Sequence, residues 1–261
     1  VASGLPDGVT KVRLNTSEVV TPSKGASSLV QAVLPSSKQA VAINPEFTEA
    51  RMELAELYFL VKEHKKANDQ FNIILAKDNK NSEALFLKGM NYKDMGDTAS
   101  AVQAFQKTYE LDANNYDAVM QLGILYAAAK NKSALDYYIA ASRLNPKSAE
   151  PPYNAGVFLQ QKGEYKKAVK MYQQALKADD GYYLAYYNAG IINVDIKQYS
   201  DAIENFDAVV RINGNYADAY YMRGYAYEKL KKPEDAKINY EYALEINPGY
   251  TFAKEALARL R

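Results

Sequence analysis

Small and apolar positions recur along this chain with a fixed period. Aligned with itself, the sequence sets Ala55, Gly89, Gly123, Gly156, Gly190 and Gly224 in one column, at spacings of 34, 34, 33, 34 and 34. Ala67, Ala101, Ala134, Ala168, Ala202 and Ala236 form a second column, and Phe71, Phe105, Tyr138, Tyr172, Phe206 and Tyr240 a third, four residues further on. Residues four apart share one face of a helix, so each alanine and its aromatic point the same way. A column five residues before the glycine holds Ala50, Ala84, Ala118, Pro151, Ala185, Ala219 and then Ala253. The single 33 falls between Gly123 and Ala134 and places a one-residue deletion in the Ala127–Lys132 turn, where helix registry is undisturbed.

This pattern predicts pairs of short antiparallel helices. Two helices approach closely only where one presents no bulk; glycine and alanine supply that place, the aromatic fills the space beside it, and the next pair covers what remains. Turn signals stand where the pattern needs them: Met95-Gly96-Asp97 and Lys162-Gly163-Glu164 within pairs, Asn145-Pro146 and Asn247-Pro248 between them. Six repeats follow, over 48–81, 82–115, 116–148, 149–182, 183–216 and 217–250, with a capping helix over 251–261. Asn44-Pro45 marks an earlier boundary and makes 25–47 a degenerate leading repeat, its second helix over about Ser36 to Ile43, with Pro22 and Pro35 arguing against a complete pair. Residues 1–24 fall outside the period. Their glycines and prolines, and the alternation of Val12 and Leu14 with Lys11 and Arg13, read as an extended arm.

Position by position, the columns resemble the tetratricopeptide repeat. The fourth repeat carries the match as Tyr153-Asn154-Ala155-Gly156, then Gly163-Glu164-Tyr165, Ala168, Tyr172 and Ala175. The resemblance covers all six repeats. It implies an all-α fold, a right-handed superhelical solenoid of antiparallel helix pairs, to which this chain adds its extended N-terminal arm. It also implies a non-enzymatic scaffold for protein–protein interaction. Departures from the family pattern are Pro151-Pro152 at a helix start, Leu159 and Asn193 where other repeats have Tyr58, Tyr92, Tyr126 and Tyr227, and the absence of the consensus tryptophan, replaced by Arg51, Leu85, Val119, Pro152, Tyr186 and Tyr220.

Composition adds limits. Lys+Arg 32 against Asp+Glu 31 leaves no net positive field to gather nucleic acid or an anionic membrane. Without cysteine there are no disulfides, thiolate metal sites or thiol nucleophiles. No stretch approaches the roughly 18 apolar residues of a transmembrane helix. Tyr 23 beside Phe 8 and Trp 0 suits a fold with many half-buried positions. The chain opens on Val1, which points to removal of an N-terminal piece; with the arm and the Tyr-, Asn- and Lys-rich composition this leans towards a bacterial periplasm or cell envelope, the cytoplasm being the alternative.

Catalytic chemistry finds no constellation. His64, the one histidine, lies among charges in Lys62-Glu63-His64-Lys65-Lys66 and reads as a solvated turn residue. Asp179-Asp180 falls at a repeat boundary and reads as capping. No metal, cofactor or catalytic residue is expected.

A binding surface is another matter. In the family the first helix of each pair lines the concave face, so the columns around the glycine there form the candidate site. Three before it and one after it run Met120, Ile124, Tyr153, Val157, Tyr187, Ile191, Tyr221 and Tyr225, an aromatic and aliphatic stripe. Two before it stand Gln121, Asn154 and Asn188, amides able to hold a peptide backbone. Glu83, Asp117, Glu150 and Asp218 add an acidic margin. The competing reading is that neighbouring helices use the stripe to pack on each other, and that acids simply favour helix N-termini. The chaperone-tail binders of the family carry a basic clamp in columns that here hold Met52, Glu56, Phe86 and Met90, so a ligand ending in a carboxylate is not expected. The functional expectation is a scaffold that binds a peptide or protein segment in its groove, within an envelope assembly. The alternatives are a self-assembling structural subunit, joined through its ends or its arm, and a regulatory module of a larger protein.

Overall fold

A computed structural model describes residues 24–260, with side chains from residue 33. The predicted arm lies outside the described residues except for Lys24, which opens the first helix. Among the described residues there are fourteen helices and no strand. They are α1 (Lys24–Ile43), α2 (Thr48–Leu60), α3 (His64–Lys77), α4 (Ser82–Asp94), α5 (Thr98–Leu111), α6 (Tyr116–Ala128), α7 (Ser133–Leu144), α8 (Glu150–Gln161), α9 (Tyr165–Ala178), α10 (Tyr183–Asp195), α11 (Tyr199–Ile212), α12 (Ala217–Lys229), α13 (Pro233–Ile246) and α14 (Thr251–Arg259). The chain forms two compact units, one ending at Ala118 and the other beginning at Val119. In the first, α2 packs on α3 and α4 on α5, while α1 lies against α2 and α3 against α4. In the second, the pairs are α8 with α9, α10 with α11 and α12 with α13, and α7, α9, α11 and α13 each also pack on the helix that follows.

The glycine column makes these pairings close. A Cβ added to Gly89 in the first unit would stand 2.7 Å from the Phe105 ring; at Gly156 and Gly190 in the second it would stand 2.5 and 2.7 Å from Tyr172 and Phe206. Each aromatic comes from the second helix of the same pair, and Phe105, Tyr172 and Phe206 are fully buried. Ala67, Ala101, Ala134, Ala168, Ala202 and Ala236 are fully buried as well. The period thus records one packing contact made again in each repeat.

Turn geometry explains a column that the letters conceal. Lys62, Gly96, Lys130, Gly163, Lys197 and Lys231 have φ of 61°, 78°, 54°, 73°, 62° and 59°, the left-handed conformation that ends a first helix. After it the chain turns back, with Glu63 N–H donating to Tyr58 O at 2.8 Å and Glu164 N–H to Leu159 O at 2.9 Å. In the other repeats a second helix opens two residues after this position, whereas α7 opens three after Lys130 and has 12 residues instead of 14. The deleted residue therefore comes out of the segment just after Lys130 and trims the start of α7. Between repeats the turn is built by an Asx side chain: Asn44, Asp78, Asp112, Asp179, Asn213 and Asn247 each accept a backbone N–H two residues on.

The leading segment differs from its expectation. In place of a helix beginning near Ser36, α1 runs from Lys24 through Pro35 to Ile43. Proline disturbs the hydrogen bonding of the preceding turn. The Ser36 and Ser37 hydroxyls both donate to Val33 O, at 2.7 and 3.3 Å.

Candidate functional site

In the second unit a groove of about 440 Å³ opens between α6, α7 and α8. Ile124, Ala127 and Ala128 of α6 face Val157 and Phe158 of α8 across it, and Tyr138 of α7 reaches its floor. Ile124 and Val157 stand one residue past Gly123 and Gly156, so the glycine that admits the second helix also fixes where these side chains emerge. Polar atoms come from Glu150, Asn154 and Gln161. Glu150 lies in the first turn of α8, where the helix N-terminus favours a carboxylate, and it is the one charged side chain among the lining residues. Burial, and after it the charge of Glu150, pushes the Tyr138 hydroxyl up to about 12.

Beyond the groove the stripe becomes a ladder of rings. Tyr153 lies between Tyr172 at 5.9 Å and Tyr182 at 5.1 Å, and Asn188 Nδ2 donates to its hydroxyl at 3.2 Å. Tyr187 rests on Phe206 at 5.8 Å and meets Tyr216 edge-on at 5.1 Å. Tyr221 repeats the arrangement with Tyr240 at 5.6 Å and Tyr250 at 5.4 Å. Tyr182, Tyr216 and Tyr250 are 34 residues apart and form a column of their own at the N-caps of α10, α12 and α14. All six stripe and turn tyrosines are half-buried, and burial pushes the Tyr182 hydroxyl up to about 12. Asp218 accepts a hydrogen bond from the Tyr250 hydroxyl, and its charge acts with burial to raise Tyr187.

The expected site residues thus divide. Ile124, Asn154, Val157 and Glu150 meet in the groove; Tyr153, Asn188, Tyr187 and Tyr221 belong to the ladder, and Ile191 packs with it against the Phe206 cluster. Tyr225 is half-buried with Lys229 Nζ 4.8 Å above its ring. Met120 and Gln121 are only 4% and 9% exposed and offer a ligand little surface. Glu83 and Asp117 lie in the first unit, Glu150 and Asp218 in the second. Sequence reasoning missed Phe158 and Gln161, although both follow Gly156 on the same helix.

His64 corrects an expectation. Far from being a solvated turn residue, it begins α3 with its ring against Phe59, its Nδ1 2.7 Å from Asn91 Oδ1 and its Nε2 3.3 Å from Asp94 Oδ2. Asn91 is fully buried and also donates to His64 O at 3.0 Å, so the pair ties one repeat to the next. The local run of charges hides this because both partners are on α4. Among the described residues no group of three or more His, Cys, Asp or Glu could hold a metal ion.

A stack of helix pairs whose recesses are lined by apolar, amide and carboxylate side chains defines the class, a helical-repeat binding scaffold. Models of the tetratricopeptide repeat match residues 82–115, 153–182 and 217–250, and a further TPR repeat model matches 192–231. The chain is a tetratricopeptide-repeat protein. Such repeats are generally non-enzymatic and mediate protein–protein interaction. It is similar to human Protein O-mannosyl-transferase TMTC3, with 29% identity over 146 residues, 54% of this chain but only 16% of that relative's length. Of the solved structures, MamA is 25% identical with a TM-score of 0.59, covering 64% of this chain and 92% of that one. The C-terminal part of a TPR repeat-containing protein from Cytophaga hutchinsonii is 16% identical with a TM-score of 0.78 over 88% of this chain and 95% of its own, a likeness of fold alone. No described helix is long and apolar enough to cross a membrane.

Proposed function

We propose that this protein binds an extended, basic segment of a partner protein, held in the groove of the second unit and along its tyrosine ladder. The observation that carries the reading is the groove itself, about 440 Å³ with an apolar floor and Glu150 as its one charged lining residue. Ile124 and Val157 would take an apolar side chain, Asn154 and Gln161 the ligand backbone, and Glu150 a lysine or arginine beside it. Ladder tyrosines offer wide, rigid contact area with hydroxyls at the edge, the composition of interface anchors.

The chain's own Lys11-Val12-Arg13-Leu14 has the required chemistry and makes a convenient probe. A labelled peptide of residues 9–16 should bind the full chain, and a version with glutamate at the two basic positions should not. Tyr187→Ala should weaken the basic peptide by about 2 kcal/mol or more. Removing residues 1–23 should tighten binding if the tethered arm competes for the groove. Equal affinity for basic and acidic peptides would sink the reading.

A further inference from the structure

In the second unit the second helices of three successive repeats, α9, α11 and α13, seat Tyr172, Phe206 and Tyr240 in the core and turn the opposite face outwards. Outward positions 34 residues apart are equivalent, and those spaced by four and seven lie along one stripe of a helix. On α9 the stripe holds Lys166, Lys170 and Lys177, all exposed. On α11 the same positions hold Ser200, Glu204 and Arg211, and on α13 Glu234, Ile238 and Glu245. Glu241 joins the α13 stripe where α9 has Gln173. The face is thus basic on its first helix, balanced on its second and acidic on its third. Among the described residues none of these charged side chains belongs to an ion pair. The α13 stripe also carries apolar surface: Ile238 is 50% exposed and Tyr242 46%, the tyrosine resting on Tyr220 with ring centroids 5.5 Å apart.

Lysines along one stripe repel each other, as do glutamates, and a surface with the opposite order of charge would relieve both. Within one chain α9 and α13 cannot serve each other, since both face outwards. A second copy turned about a two-fold axis at α11 can do so: its α13 meets α9, its α9 meets α13, and α11 lies antiparallel on its counterpart. With the axis midway between Glu204 and Arg211, Glu204 stands opposite Arg211 of the second copy. Carried 34 residues either way, the same register sets Lys170 opposite Glu245 and Lys177 opposite Ile238. There the lysine stem covers the isoleucine, and its ammonium lies one helical turn from Glu234.

We propose that the outward face of α9, α11 and α13 is an isologous interface with a second copy of this chain, giving a salt-sensitive two-fold dimer. The inference does not rest on the groove between α6, α7 and α8.

Sedimentation equilibrium of the full chain over a range of concentrations should show monomer and dimer and no larger species, with the dimer weakened as salt is raised. Lys170→Glu and Glu245→Lys each place two like-charge pairs in the dimer, so either alone should weaken it by about tenfold or more. An equimolar mixture of the two variants should associate as well as the wild type, because every contact between these positions then joins opposite charges. Both changes are at exposed positions, and circular dichroism checks that each variant is folded. A chain that stays monomeric, single variants that dimerise like the wild type, a mixture no stronger than its components, or growth beyond the dimer would each overturn the proposal. A monomer that co-sediments with vesicles of phosphatidylcholine and phosphatidylserine, and loses them on Lys170→Glu, would assign the α9 stripe to an anionic membrane and overturn it likewise.

Discussion

Lys62, Lys130, Lys197 and Lys231 adopt a left-handed backbone that glycine enters freely and other residues enter against steric resistance. Lys197→Gly should therefore raise stability by roughly 0.5–1 kcal/mol, measured as a higher urea midpoint at unchanged m-value. A lower midpoint would show that the lysine side chain contributes more than its backbone loses. The same column shows what a sequence conceals: Gly96 and Gly163 announce their turns, but four lysines of identical geometry are spelled like surface residues. Glu56 carries the residue-scale pH dependence. Burial, then repulsion from Glu83 and Glu53, raises its carboxyl from 4.5 to about 7. The folded chain keeps that proton after the unfolded chain has lost it, so stability falls as pH rises from about 4.5 to about 7 and stays reduced above. Glu56→Gln should stabilise the protein at pH 8 by on the order of 1–2 kcal/mol and make little difference near pH 4. An equal gain at both pH values in chemical denaturation would remove ionisation as the cause.

Helix pairs are held by a contact that leaves no room for a side chain. Gly190→Leu should destabilise the protein by roughly 1–3 kcal/mol, because the new side chain must displace Phe206 or part α10 from α11. Combined with Phe206→Ala, it should lose less than the sum of the two single changes, since the cavity left by the ring admits the leucine. Strict additivity in denaturation would mean that the two positions do not share one contact. The pairing was legible in the sequence because the contact is made by residues of extreme size, glycine and a ring, at constant spacing. The course of α1 was not, since a proline inside a helix weakens or kinks it without always ending it. Nor was the tether from His64 to Asn91, which joins residues 27 apart in successive repeats.

For the molecule as a whole, the sequence located the helix faces from which a site could be built but could not separate exposed stripe from packed stripe. Ile124 and Val157 emerge into a groove, whereas Met120, in an equivalent column, is 4% exposed. Tyr153 and Asn188 spend part of their surface on each other, which a one-dimensional column cannot reveal. The groove depends on Phe158 and the two alanines of α6 as much as on the stripe, and those residues resemble ordinary core until neighbouring helices are placed beside them. The central claim is that this groove, with its single carboxylate, receives a basic segment. Titrating the peptide of residues 9–16 into the full chain, Val157→Arg and Glu150→Gln, with circular dichroism to confirm that each stays folded, tests it most directly. Val157→Arg should weaken binding by about tenfold or more by filling the groove and repelling the ligand, and Glu150→Gln by a smaller amount that disappears at high salt. Unchanged affinity in folded Val157→Arg would contradict the account.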